Sequence, residues 1–240
     1  MTKAKIKSLG AGIGWFALYA CLMMLTQTIV SIVFMGGVAA SGVRNETTIS
    51  AFANTNLLSI VLITNLLVGG ILFLSFWMRK TDIRKEWKMN GFTSKAMVLS
   101  VLVATAYSLA FALLTRHFGL DDSGMIFRSA EYYSSIVPGI GIVMMALNLL
   151  IAAPAVEEIA LRGIVYTRIE KGCGTLTAIL VSSVLFAVMH IAAGGMVLTF
   201  GALLMGIIFG CIFAKTNSLW VCMIAHAAAN IPDFVFYYIQ

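Results

Sequence analysis

A chain of 240 residues carries 60% hydrophobic and only 11% charged residues, where soluble proteins run near one half and about one quarter. So little charge cannot cover a soluble globule, and the composition points to the lipid bilayer. The net charge of +6 does not point to nucleic acid, because the basic residues are sorted by loop and form no stripe interleaved with aromatics.

A crossing needs about 20 mostly apolar residues for a hydrocarbon core of about 30 Å. In chain order the candidates are roughly 12–37, 54–78, 96–115, 137–160, 174–193, 195–214 and 218–239. They predict an all-α, polytopic integral membrane helix bundle of about seven transmembrane helices, with an eighth open between 118 and 137. Lys3, Lys5 and Lys7 precede the first run as in a signal peptide. The run outlasts a typical h-region and meets no small-residue cleavage site, so a retained first span is expected.

The positive-inside rule orients these spans. Arg79, Lys80, Arg84, Lys85, Lys88 and Lys95 crowd the loop after span two, Arg168 and Lys171 follow span four, and Lys215 follows span six. The opposite loops hold Arg44, Arg116 and Arg128 beside Glu46, Asp121, Asp122 and Glu131. A cytoplasmic N-terminus puts every rich loop on one side, and the short loops suggest a bacterial plasma membrane. The loop with Trp87 and Phe92 reads as a topology determinant, with contact to anionic headgroups as the other reading. Gly206 and Gly210 predict a close helix contact. Cys21, Cys173, Cys211 and Cys222 read as small hydrophobes rather than a disulfide or zinc framework. The chain is expected to be one membrane domain over 1–240, with 1–136 carrying no recognisable motif and 137–239 forming the functional core.

Charge at the bilayer centre costs at least about 2.5–3.5 kcal/mol, so ionisable residues inside apolar runs are functional candidates. These are Glu157, Glu158, Arg162, His190, His226 and Asp233. Asp233 follows Pro232 near the end of the last span, where an interfacial position accounts for it. Glu158 and Arg162 are i and i+4 and can pair on one helix face. Glu157 is turned about 100° away and is free to face a cavity. His226 and Asn230 share a face at the same spacing, with three alanines between them, and Phe186 and His190 repeat it.

A carboxylate, two imidazoles and an amide from three helices suit hydrolysis. Glu157 would activate a water that His190 orients, while His226 and Asn230 would hydrogen-bond the oxyanion. Alternatively Glu157, His190 and His226 would ligate one zinc ion, although no H-E-x-x-H occurs. Each residue also has a structural reading: Glu158–Arg162 as an ion pair, the histidines and Asn230 as interhelical hydrogen bonds.

EEIALR from Glu157 to Arg162, FAVMH from Phe186 to His190 and HAAAN from His226 to Asn230 together resemble the CPBP or Abi family, the CAAX prenyl endopeptidase and bacteriocin-processing membrane proteases. The resemblance covers roughly 137–239. It implies an intramembrane endopeptidase with Glu157 as catalytic base, His190, His226 and Asn230 beside it, and Glu158 and Arg162 in support. It leaves a metal-free, glutamate-activated water and a metallopeptidase mechanism both open. The implied partner is a membrane-bound or lipidated peptide substrate cut near the cytoplasmic membrane face. Removal of the last three residues of a C-a-a-X protein and maturation of a peptide or bacteriocin precursor are both within the family.

The alternative function is a non-catalytic bacteriocin-immunity or partner-binding protein on the same scaffold. A bis-histidine haem protein would leave Glu157, Glu158 and Asn230 unexplained, so no haem is expected. A proton-relay transporter would need broken spans in matching halves, and none is seen. One geometric tension stands: a helix over 138–168 would be about 46 Å long, too long for one upright crossing. Pro154 is therefore expected to break or bend it, and the Gly194–Gly195 turn is one place where span five can reverse inside the membrane.

Overall fold

The computed structural model describes residues 2–42, 52, 55–120, 129, 131 and 133–239. Arg44, Glu46, Asp121, Asp122 and Arg128 lie outside the described residues, as does most of the stretch held open for an eighth crossing. The helices are α1 (Lys3–Ala40), α2 (Leu57–Met78), α3 (Ile83–Glu86), α4 (Ser94–His117) and α5 (Ile140–Cys173). They continue with α6 (Thr175–Ile191), α7 (Gly195–Thr216), α8 (Leu219–Ala229) and α9 (Ile231–Ile239). Among the described residues there is no strand, only one antiparallel bridge between Met89 and Ser218.

Among the described residues, six helices are long and apolar enough to cross a membrane: α1, α2, α4, α5, α7 and the run Leu219–Phe236. The remaining predicted crossing is α6, which is shorter. Large apolar side chains such as Leu25, Val33, Leu66 and Leu102 stay exposed on the outer helix faces, as expected of helices apolar all round and solvated by lipid.

Helical hydrogen bonding runs unbroken from Thr175 to Thr216, yet the chain reverses within it. A Cβ added at Gly206 would lie 3.0 Å from the Ser183 Cα, and one at Gly210 would lie 3.1 Å from the Ile179 side chain. In one straight helix Ser183 and Gly206 would be about 34 Å apart. The segment is a helical hairpin turning at Gly195, whose φ of +68° needs a residue without a Cβ. Gly206 and Gly210 thus make the close contact that their spacing predicts.

Ser8 Oγ donates to the Arg168 carbonyl, fixing α1 against the C-terminal part of α5. The basic loop after α2 packs against the C-terminal part of α5 through Glu86, Trp87 and Lys88. Trp87 is buried, edge-on to Phe76 at 5.2 Å, and closes over Gly163. Lys88 pairs with Glu170 at 2.8 Å and Arg168 with Glu86 at 3.1 Å. Trp87 is therefore withdrawn from any headgroup, whereas Phe92 stays exposed. The four cysteines are free thiols.

Pro154 does not end α5. The helix widens to π winding over Asn148–Ala152, returns to α winding over Ala153–Glu158 and widens again over Ile159–Tyr166. The proline has no N–H to give, and the change of winding absorbs that loss without a break. At 34 residues, α5 is about 51 Å long and must extend past the hydrocarbon core.

Candidate active site

Helix rise puts the site residues of two spans at one depth. Glu157 is about 24 Å from the Cys173 end of α5, and His190 is about 22 Å from the adjoining Thr175 end of α6. Both helices start from the turn at Gly174, so the residues arrive at the same level. Glu157 therefore sits mid-helix rather than at a rim.

Glu158 faces inward and is fully buried, as is Arg162. Arg162 Nη1 donates to Glu158 Oε1 at 3.0 Å, and Nη2 donates to the Gly206 carbonyl at 2.9 Å. The guanidinium lies over the rings of Phe186 and Phe209, 5.1 and 5.5 Å from their centroids. A planar, weakly hydrated cation suits such a place. The bare Gly206 backbone that lets α6 and α7 touch thus also supplies a carbonyl to the buried cation.

His226 is held from several sides. Its Nδ1 lies 2.9 Å from Glu158 Oε1, and its ring stacks on Phe209 at 4.7 Å. An ionised carboxylate only accepts, so Nδ1 carries the proton and a neutral ring turns an acceptor Nε2 outward. That Nε2 is 3.9 Å from Glu157 Oε2, too far for a direct hydrogen bond. His190 repeats the logic: Nδ1 is 2.8 Å from the Phe186 carbonyl, which again leaves Nε2 as the acceptor. The F-x-x-x-H spacing is thus a device that fixes a tautomer.

Asn230 Nδ2 donates to the Leu149 carbonyl at 2.8 Å, and the proline explains why that oxygen is free. Ala153 N–H reaches back five residues to the Asn148 carbonyl. In this winding the next donor, for Leu149, would be residue 154. Pro154 has none, and Asn230 fills the gap while keeping a second N–H. His190, His226, Asn230 and Asp233 together line a cavity of about 100 Å³ walled by Phe186, Tyr107 and Phe111, enough for several waters. Asp233, assigned to the interface from sequence, borders this same space. Glu157 keeps 15% of its side chain exposed and meets His226 beside the cavity.

The two Nε2 acceptors are tautomers that a metal would accept. Among the described residues, however, no three His, Cys, Asp or Glu side chains converge to hold an ion. Glu157, His190 and His226 as placed therefore do not fit a three-ligand zinc site.

Sequence reasoning missed a buried amide pair, Asn65 Nδ2 donating to Asn148 Oδ1 at 3.0 Å between α2 and α5. It also missed Tyr19, a buried phenol on α1. Isolated amides in apolar runs carry the signal used for the charges, which was applied only to ionisable groups. Tyr19 has no such signal among so many aromatics.

Residues 139–232 match the family described as Type II CAAX prenyl endopeptidase Rce1-like. This segment contains the whole of the EEIALR, FAVMH and HAAAN motifs named above. No curated protein and no solved structure matches the chain.

Proposed function

From the membership of residues 139–232 in the CPBP/CAAX protease family of membrane endopeptidases, we propose that this chain hydrolyses a peptide bond inside the bundle, using a water activated by Glu157. The observation that supports it is the contrast at one point of α5: Glu158 is locked into the Arg162–His226 network, while Glu157 is partly exposed with only a 3.9 Å approach to His226. Two acceptors at that separation need something between them that donates to both, and a water molecule does so.

In this reading Glu157 takes a proton from the water, and the hydroxide adds to the substrate carbonyl. The spare N–H of Asn230 donates to the resulting oxyanion. Glu157 then returns the proton to the leaving amine. Glu158 fixes the His226 tautomer, and His190 Nε2 accepts from the water. Zinc has no step in this scheme.

The apolar groove between α4 and α7, about 610 Å³, is lined by Leu114, Met196, Phe200 and Leu204 and shares Tyr107 and Phe111 with the cavity. It supports a lipidated C-a-a-X or membrane-bound peptide whose apolar part lies along the groove. With the N-terminus cytoplasmic, the scissile segment must be drawn into the bundle, because Glu157 is about 24 Å from the Cys173 end.

The test is cleavage of a quenched, lipidated C-a-a-X peptide by detergent-purified protein, with Glu157→Gln and a chelator-treated sample alongside. We expect Glu157→Gln to lose at least about a hundredfold in kcat, the low end for a general base, and the chelator to leave cleavage intact. Equal cleavage by the variant would remove Glu157 as base. Bacteriocin immunity that survives Glu157→Gln would instead favour the non-catalytic binding function.

A further inference from the structure

The N-terminal helix runs antiparallel to α5 in a register that three contacts define. A Cβ at Gly172 would lie 3.2 Å from the Ala4 carbonyl, Ser8 Oγ donates to the Arg168 carbonyl, and a Cβ at Gly12 would lie 3.3 Å from the Val165 carbonyl. Each turn along α1 retraces a turn along α5. Two more turns bring Tyr19 level with Glu157 and Glu158.

Tyr19 is 2% exposed and lines a small cleft with Ala160 and Ile164 of α5. Its hydroxyl is buried and has no hydrogen-bond partner among the described residues. An unpaired O–H inside a membrane bundle is costly, whereas a carboxylate next to it gives it a partner through one water.

We propose that Tyr19 is a positioning residue of the active site, its hydroxyl donating to the Glu157 carboxylate through one water and holding it toward His226. The proposal rests on Glu157 being the base and gives the otherwise motif-free N-terminal part a share in the site. Glu157 then has a donor on each side: the water held by Tyr19 of α1 behind it and the attacking water in front. Glu158 is already bound through Oε1 by Arg162 and His226, although its Oε2 has no partner among the described residues.

The experiment is a double-mutant cycle on thermal unfolding of the full chain in detergent, with Tyr19→Phe, Glu157→Gln and the double variant. Phenylalanine keeps the ring packing and removes only the hydroxyl. The two substitutions should couple by about 2–4 °C in Tm. Tyr19→Phe alone should lower kcat on the lipidated C-a-a-X peptide about tenfold, as expected for loss of a hydrogen bond to a charged group, with KM unchanged. Additive Tm shifts, or a kcat equal to that of the unmodified chain, overturn the proposal. Wild-type cleavage by Glu157→Gln would refute the base instead, a different result read from a different variant.

Discussion

Two adjacent carboxylates on α5 live in opposite surroundings. On one face Glu158 is fully buried, paired with Arg162 and bound to His226. On the other Glu157 keeps partial exposure and lies 3.9 Å from His226 Nε2. One residue of helix rotation, about 100°, separates the carboxylate paired with Arg162 from the one proposed as the base. Glu158 Oε1 accepts from both Arg162 and His226, while its Oε2 has no partner among the described residues. The ion pair with Arg162 therefore holds this buried charge, and the neighbouring carboxylate carries no such pair.

Arg162→Leu should give the largest change, because it strands Glu158 without its cation. Breaking a buried pair from one side costs about 3–5 kcal/mol, and the variant should melt far below the parent in detergent. A melt near that of the unmodified chain would mean the Glu158 face is not a structural network.

A smaller and more selective effect is expected from Pro154→Ala. The new N–H can pair with the Leu149 carbonyl and so compete with Asn230. Cleavage should fall several-fold, and adding Asn230→Ala should cost less than it does in the parent chain, as expected for coupled neighbours. Full additivity would separate the proline from the amide.

At the far end of α5, Lys88→Met breaks the partly exposed pair with Glu170. Such a pair contributes only about 0.2–1 kcal/mol. A thermal shift of a few degrees with normal cleavage is expected. A large loss of activity would show that the basic loop reaches the site.

The motif residues were legible because polar groups stand out in apolar runs and because a spacing of four on a helix means one face. Glu158 with Arg162 follows directly from that rule. The hairpin at Gly195 was legible from its paired glycines. What the spacing could not show is the second bond of Glu158: a contact with His226 from α8 depends on how three helices cross. Tyr19 was equally hidden, since its place beside the glutamates follows from the register of α1 on α5. Pro154 gave the correct alarm with a different outcome, because a proline in a long helix can be absorbed by π winding when another side chain takes the orphaned carbonyl.

The division of labour between the two carboxylates is tested most directly by melting Glu157→Gln and Glu158→Gln side by side in the same detergent. Glu158→Gln leaves the Arg162 cation buried without its counter-charge and should melt well below the parent. Glu157→Gln removes a charge held for reaction rather than for packing and should melt at or above it. A Glu157→Gln protein that loses as much stability as Glu158→Gln would contradict the account, because both carboxylates would then be structural.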